Sequence, residues 1–531
     1  MVAVNMKKLL TVLCLMTSLQ WQQCFASTLT WTSPVTISTP GVDASDPQIK
    51  IDVNGNATSV WVENNFIQAS HLPSGGSWGT ITTISNTGAS SPHLGIDTAG
   101  NVTAIWLENG VVSSAALPAG GSWSAETAIS STGASSLSTY VDRSGNAVAI
   151  WVRGGFIETA QKPFGSIWGT VSRLSSTGVE TSPDVFIGSS GTMFAVWHTV
   201  SSGADIIDYA KGSVGGSWGT SAHIITAAPA LHHNFPKVVV DQNGNATAAW
   251  YRYNLSGSVY SNTNVLASTL QSGSSSWGIP VLLSQAGLLN VANFNFIKLQ
   301  IDTQGDVNAE WVNSSDGDTF IIEVAVLPFS GSWQGIGGAL DIGDPYAYQA
   351  TQSVASTGDT VSTYMFFDGT NLNIQAVETS IQGIKYNFFT PPVNISQGTD
   401  NAYPRVSAQT LGTTMNAASV WQQFNGTNKV VQAATGSKSL VLPPSSPMVI
   451  QTPNNFGVFS TFTNTLSWNP SPDPDVIEYI IYRNNIPIAT VPASVLQYVD
   501  YNAPMASGSI TYGVSAFNNV FQVSQIVTVV E

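Results

Sequence analysis

Cysteine is almost missing from this 531-residue chain: there are two, Cys14 and Cys24. Both fall within the first 26 residues, so the remainder can hold neither a disulfide framework nor a thiolate metal site. Charge is scarce too, at 9% of residues against about 25% in an ordinary soluble protein. Lys and Arg number 16 against 31 Asp and Glu, for a formal net charge of −15. Without the first 26 residues, which carry Lys7, Lys8 and no acid, it becomes −15 − 2 = −17. No basic cluster offsets this surface, which excludes nucleic acid as a partner. The only apolar stretch near the start, residues 9–16, is too short to span a bilayer, so the chain is not membrane-spanning.

That stretch, with Lys7 and Lys8 before it and Ala26 preceding Ser27, reads as a secretory signal peptide over residues 1–26. Met6 is an alternative start. Cys24 stands where a bacterial lipoprotein would be lipidated, but Trp21 occupies the place of the usual Leu, so removal with the signal is expected. The mature protein is then secreted or held at the cell surface. Abundant Ser, Thr, Asn and Gly with regularly spaced Val, Ile, Leu and Trp suit an exported β-protein rather than a disordered one.

What the sequence has is repetition. An Asp, a Gly-containing turn and a Trp nine residues after the Asp recur as Asp52 to Trp61, Asp97 to Trp106, Asp142 to Trp151, Asp241 to Trp250 and Asp302 to Trp311. Each unit divides into four short strands. In the first, these cover residues 47–52, 56–63, 66–72 and 78–85. The Asp and Asn-Gly residues suit the positive φ angles of a tight hairpin. A second phrase, Gly75-Gly76-Ser77-Trp78, returns as Gly120-Gly121-Ser122-Trp123 and Gly215-Gly216-Ser217-Trp218 between third and fourth strands. Second strands are apolar on both faces, as in Ala57, Ser59 and Trp61 against Val60 and Val62. Such strands belong to sheets packed between other sheets, which radial stacking provides.

First-type strands lie near Pro47, Pro92, Leu137, Pro183, Pro236, Ile297, Gln352 and Pro404. The chain begins with one fourth-type strand in residues 31–38 and the last unit stops after a third-type strand, residues 429–434. The two ends therefore complete one blade, and the expectation is an all-β fold: an eight-bladed β-propeller over residues 27–436, closed by pairing of N- and C-terminal strands, with seven blades as the alternative.

A Pro/Ser-rich linker, residues 437–446, follows. Residues 447–531 resemble a fibronectin type III domain, on Leu466-Ser467-Trp468, Pro472-Asp473-Pro474-Asp475, Glu478-Tyr479-Ile480-Ile481-Tyr482-Arg483-Asn484, Asp500 and Thr511-Tyr512-Gly513-Val514-Ser515-Ala516. The resemblance implies a β-sandwich spacer or adhesion module. Gly-Gly-Ser-Trp is loosely similar to the Asp-box of sialidase-like propellers, though its Asp is missing in every unit. Sialidases clamp a carboxylate with three arginines; here a triad would need Arg153, Arg252 and Arg405, and no Tyr and Glu pair accompanies them.

Candidate contacts lie on the face made by the fourth-to-first and second-to-third connections. They are His198, His232, His233 and Tyr251, with the loops at residues 87–91, 201–205, 230–234, 251–256 and 313–318. Adjacent His232 and His233 on an extended segment point oppositely and make a poor metal pair, and Asp316-Gly317-Asp318 lacks the further acids of a calcium loop. No metal or other cofactor is expected. Glu310 is the one catalytic candidate, a carboxylate at the position of Val60, Ile105, Ile150, Val196 and Ala249. Burial there would raise its pKa as in a general acid, or it pairs with a nearby donor. The repeated tryptophans either stack on sugars or form the core between blades. Together these features read as an exported binding or adhesion protein for an extracellular glycan or protein. The alternative is a glycan-active enzyme, hydrolase or lyase, with its site on the loops.

Overall fold

The computed structural model describes residues 28–531 except 177–178, 202–203, 227–230, 257–258, 285–296, 314–320, 330, 340–346, 381–383, 385–388, 412, 456–459, 485, 502–509 and 519–522. The segment expected to be a signal peptide, residues 1–26, and Asp316-Gly317-Asp318 lie outside the described residues. Two compact units are present, Thr28–Leu440 and Val441–Glu531.

The first unit is all-β and repeats a four-stranded antiparallel sheet like a propeller blade. Among the described residues eight such sheets follow in order, numbered here one to eight by their first strands: Ala44–Ile51, Ala89–Ile96, Ala134–Val141, Glu180–Ile187, Leu231–Val240, Lys298–Ile301, Ala347–Val354 and Asn401–Leu411. Sheet eight takes its outer strands from the other end of the chain: Thr30–Trp31 and Val35–Thr36 both pair with Lys429–Ser439, Thr30 opposite Ser437 and Val35 opposite Ala433. The first strand of each sheet packs beside that of the next, and the first strand of sheet eight packs beside that of sheet one.

Hydrogen bonds explain the repeated Asp and Asn without invoking chemistry. Asp52 Oδ1 accepts the backbone N–H of Asn54 at 2.9 Å and of Asn56 at 2.8 Å, and Oδ2 accepts Asn56 Nδ2 at 2.8 Å. Gly55 supplies the left-handed turn residue, φ +85°. Asn56 Oδ1 in turn receives Ser74 N at 2.8 Å, tying this hairpin to the Gly-Gly-Ser turn. The same clamp recurs at Asp97 and Asn101, Asp142 and Asn146, and Asp241 and Asn245.

The fourth strand is shorter than the sequence pattern suggests. In sheet one it is the two-residue Thr82–Thr83, with Trp78 ahead of it half-buried against the core of sheets one and eight. A short outer strand leaves little free edge for unwanted pairing. The second-strand tryptophans Trp61, Trp106, Trp151, Trp197, Trp250, Trp311 and Trp421 are at most 1% exposed. They are the core between sheets and are sealed from any sugar. The indole N–H donates to a buried acceptor from Trp61 to Glu63 Oε2 at 3.1 Å and from Trp151 to Glu158 Oε2 at 3.2 Å, which satisfies the one polar atom of those rings, whereas the Trp197 N–H is buried without a hydrogen-bond partner.

The second unit has a three-stranded sheet, Ser445–Asn455, Ser460–Asn469 and Gln497–Asp500, and a four-stranded one, Ile486–Pro492, Val476–Arg483, Thr511–Asn518 and Val527–Val530. Leu466, Trp468, Tyr479, Ile481, Tyr512 and Val514 form its core. Buried Asp500 accepts Tyr512 Oη and Arg483 Nη1, each at 2.7 Å.

Candidate functional site

First strands are not regular. In seven sheets the register slips at one place, between Ser45 and Gln48 in sheet one and at the matching point in the others. At the slip stands a residue with positive φ: Asp46, Ser91, Ser136, Ser182, Phe235, Gln349 or Tyr403, at 49–55°. A left-handed non-Gly residue costs about 1 kcal/mol or more, and bulges of this kind bend a strand and re-aim its side chains. The next residue is Pro in five of the seven, tolerated because a bulge on an edge strand frees its nitrogen from the ladder. The residue after that resumes the ladder at one register position, opposite the residue before the second-strand Trp or its replacement: Gln48, His93, Ser138, Asp184, Lys237, Thr351 and Arg405. Lys298, opposite Glu310, holds the same register in sheet six.

Charges at these positions act on one another across the unit. Burial first, then the charges of Lys237, Arg405 and Lys298, push the His93 imidazole down to about 4. Those residues belong to sheets five, eight and six, while His93 is in sheet two. The first strands of successive sheets pack side by side, and that of sheet eight returns to that of sheet one, so the residues after the bulges hold equivalent places along the series. Lys298 is pushed down to about 7 by burial, then by Arg405 and Lys237, with Asp184 and Glu310 opposing. Asp184 is fully engaged: Oδ1 takes Lys237 Nζ at 3.2 Å and Ser138 Oγ at 3.0 Å, and Oδ2 takes Val238 N at 3.1 Å. Among the described residues neither Lys298 nor Arg405 has a carboxylate at ion-pair distance.

Glu310 lies in the apolar layer behind Lys298, with 0% exposure. Ser362 Oγ from sheet seven donates to its Oε2, and Oε1 has no partner. Burial raises its pKa to about 7, opposed by the Ser362 bond and by Lys298.

The predicted histidines gather at the ends of sheets four and five. His232 Nδ1 lies 2.5 Å from Asp205 Oδ2, and His198 Nε2 3.2 Å from Asp205 Oδ1. Thr181 Oγ1 is 2.9 Å from His198 Nδ1. Burial pushes Asp205 up, but hydrogen bonds from His198 and His232 outweigh it and hold the carboxyl below its usual range. His232 stacks on Tyr253, ring centroids 5.3 Å apart, and keeps 28% of its side chain exposed. Its neighbour His233 turns the other way, is buried, and accepts Trp250 Nε1 at 2.9 Å. Burial, then Arg252, pushes it down to about 4, so it stays neutral. Tyr251 is buried as well. Among the described residues no group of three His, Cys, Asp or Glu is arranged to hold a metal ion. Of the three arginines considered as a clamp, Arg153 forks onto Glu158 at 2.7 Å for both bonds, Arg252 is the strand partner of His233, and Arg405 follows the bulge of sheet eight.

Two groups went unnoticed in the sequence. The set after the bulges had a signal: each residue stands just after the Pro, or its replacement, of a first strand. The other is Glu108 with Glu126, on the second strand of sheet two and beside its outer edge, both accepting Asn86 N, at 3.1 and 3.0 Å. Burial and the Glu126 charge raise Glu108, against its bonds from Trp106 and Asn86.

No family model matches the chain, and no curated protein matches it. Similar solved structures include a Dyadobacter fermentans protein of unknown function, 12% identical, covering 77% of this chain and 99% of that one, TM-score 0.37. A Penicillium chrysogenum α-L-arabinanase solved with arabinobiose is 11% identical, over 58% and 93%, TM-score 0.34. A fungal alcohol oxidase solved with copper is 11% identical, over 95% and 99%, TM-score 0.41. Family-43 glycoside hydrolases are also among the similar structures. Likeness at this level carries no argument about activity or substrate.

Proposed function

We propose that this is an exported binding protein, an eight-bladed β-propeller presenting its loop face to an extracellular glycan or protein, with a fibronectin type III-like domain as spacer. The succession of first-strand contacts that returns from sheet eight to sheet one, and the pairing of Thr30 and Val35 with the last strand, support the closed ring. Three strands facing four around Trp468 support the fibronectin-like reading.

The observation that carries binding over catalysis is the state of the acids nearest the axis. Glycoside hydrolysis needs two carboxyl groups flanking the bond to be cut. Glu310 has no exposed surface, and Asp184 is held by three donors. His232 is the accessible end of the histidine cluster and is the contact residue we assign to the loop face.

A glycan-active enzyme is the second reading, favoured by Glu108 and Glu126: a half-buried carboxyl pair in which one member is raised, as a general acid requires. The test is to apply residues 27–531 to a glycan array and analyse the same glycans for cleavage. Saturable binding without products is expected. Products that disappear in Glu108→Gln or Glu310→Gln, with folding intact, would replace the binding reading by the enzymatic one.

A further inference from the structure

We propose that Lys237, Lys298 and Arg405, which hold one register position on first strands that pack in succession through the first unit, form a binding site for an oxyanion on the ligand, a carboxylate or sulfate group. This deepens the binding reading by naming the chemistry its ligand must carry.

Three observations converge on it. The first is placement. Lys237 and Arg405 each follow a strained bulge, Phe235-Pro236 and Tyr403-Pro404, with φ of 55° and 54° before the prolines, and Lys298 holds the same register. Backbone strain repeated at equivalent places is retained where the re-aimed side chains have a use. The second is charge. The molecule is strongly acidic, yet the charges acting on His93 are all cationic, and on Lys298 the two cations outrank Asp184 and Glu310. A cationic focus inside an acidic protein attracts an anion selectively, because the low-dielectric walls concentrate its field while the outer surface repels non-specific anions. The third is vacancy of partners: Asp184 is paired with Lys237, whereas Lys298 and Arg405 lack an ion-pair partner among the described residues and each keeps part of its surface accessible. Arg supplies a planar fork suited to an oxyanion, and Lys a point charge.

Desolvated cations whose charge is only partly countered, Lys298 by Asp184 and Glu310 and Arg405 by Asp46, destabilise the fold; sites that do this are kept for the ligand. Removing them should therefore cost binding and not stability. The experiment is isothermal titration of residues 27–531 with sodium glucuronate, sodium sulfate and glucose, on the wild type and on the double variant Lys298→Met, Arg405→Gln, with the melting temperature of each recorded without ligand. The expected result is saturable binding of glucuronate, sulfate or both, none of glucose, at least tenfold weaker binding by the double variant, and a melting temperature unchanged or higher. Glucuronate alone would assign a carboxylate, sulfate alone a sulfate ester. Absence of saturable binding by either anion, or undiminished binding by the double variant, overturns the site. If the double variant does not fold, Lys298→Met alone decides by the same criterion. A positive glycan array with a silent titration would remove this site and leave the binding reading standing.

Discussion

Sheets one and six follow the same template and differ at three places that matter. Where sheet one has Val60 in the layer between sheets, sheet six has Glu310. Asn56, which clamps the Asp52 turn, is replaced by Asp306, and Gln48, opposite Val60, by Lys298. In sheet one every oxygen of Asp52 has a donor. In sheet six Asp302 Oδ1 takes Gln304 N and Asp306 N at 2.9 Å each, but Oδ2 is buried without a partner, because a carboxylate at 306 cannot donate. Burial, then the Asp306 charge, raises Asp302 to about 7. The full clamp is kept in sheets one, two, three and five, whereas Gly188 and Ala355 stand in the place of Asp52 in sheets four and seven and close the turn by backbone bonds.

The harshest way to break the comparison is Val60→Glu, which gives sheet one the carboxylate of sheet six without a matching Lys298. An uncompensated buried charge is expected to cost about 3–5 kcal/mol, read by urea denaturation at pH 8. Glu310→Val should cost far less, since it restores the apolar layer.

Next comes the turn. Asp52→Ala removes three bonds to a carboxylate and should cost about 2–3 kcal/mol. Asp302→Ala, in a turn already short of one donor, should cost roughly 1 kcal/mol less by the same scale. Equal losses in denaturant titrations would show that Asn56 adds nothing to the clamp.

The repeated four-stranded sheets were legible in the sequence because the Asp, Gly and Trp positions obey steric and packing rules that leave few alternatives. Burial of the tryptophans followed from small residues beside them, and Glu310 stood out as the wrong polarity in an apolar column. The shared position after the bulge was not legible. Its members, Gln48, His93, Asp184, Lys237 and Arg405, share no side-chain chemistry, and only the bulge before them reveals that they hold one position. Nor could sequence order show that Asp205 lies between His198 and His232, since that meeting depends on how sheets four and five face each other.

A smaller effect sharpens the comparison through pH. A carboxyl raised to about 7 in the folded protein, against about 3.9 when unfolded, contributes stability that is full below about pH 4 and is lost as pH rises through 7. Asp306→Asn restores the missing donor to Asp302 Oδ2. It should stabilise by about 1 kcal/mol above pH 7 and by little near pH 4. A pH-independent difference would contradict the pairing drawn for this turn.

The central proposal is that the charges of Lys237, Lys298 and Arg405, from sheets five, six and eight, act on His93 of sheet two. The most direct measurement is an NMR titration of the His93 imidazole in the wild type and in Lys298→Met, four sheets away in chain order. The account predicts titration at about pH 4 in the wild type and a clear rise, of about a few tenths of a unit or more, when the cation is removed. Titration near 6.5, or a value untouched by Lys298→Met, would contradict it.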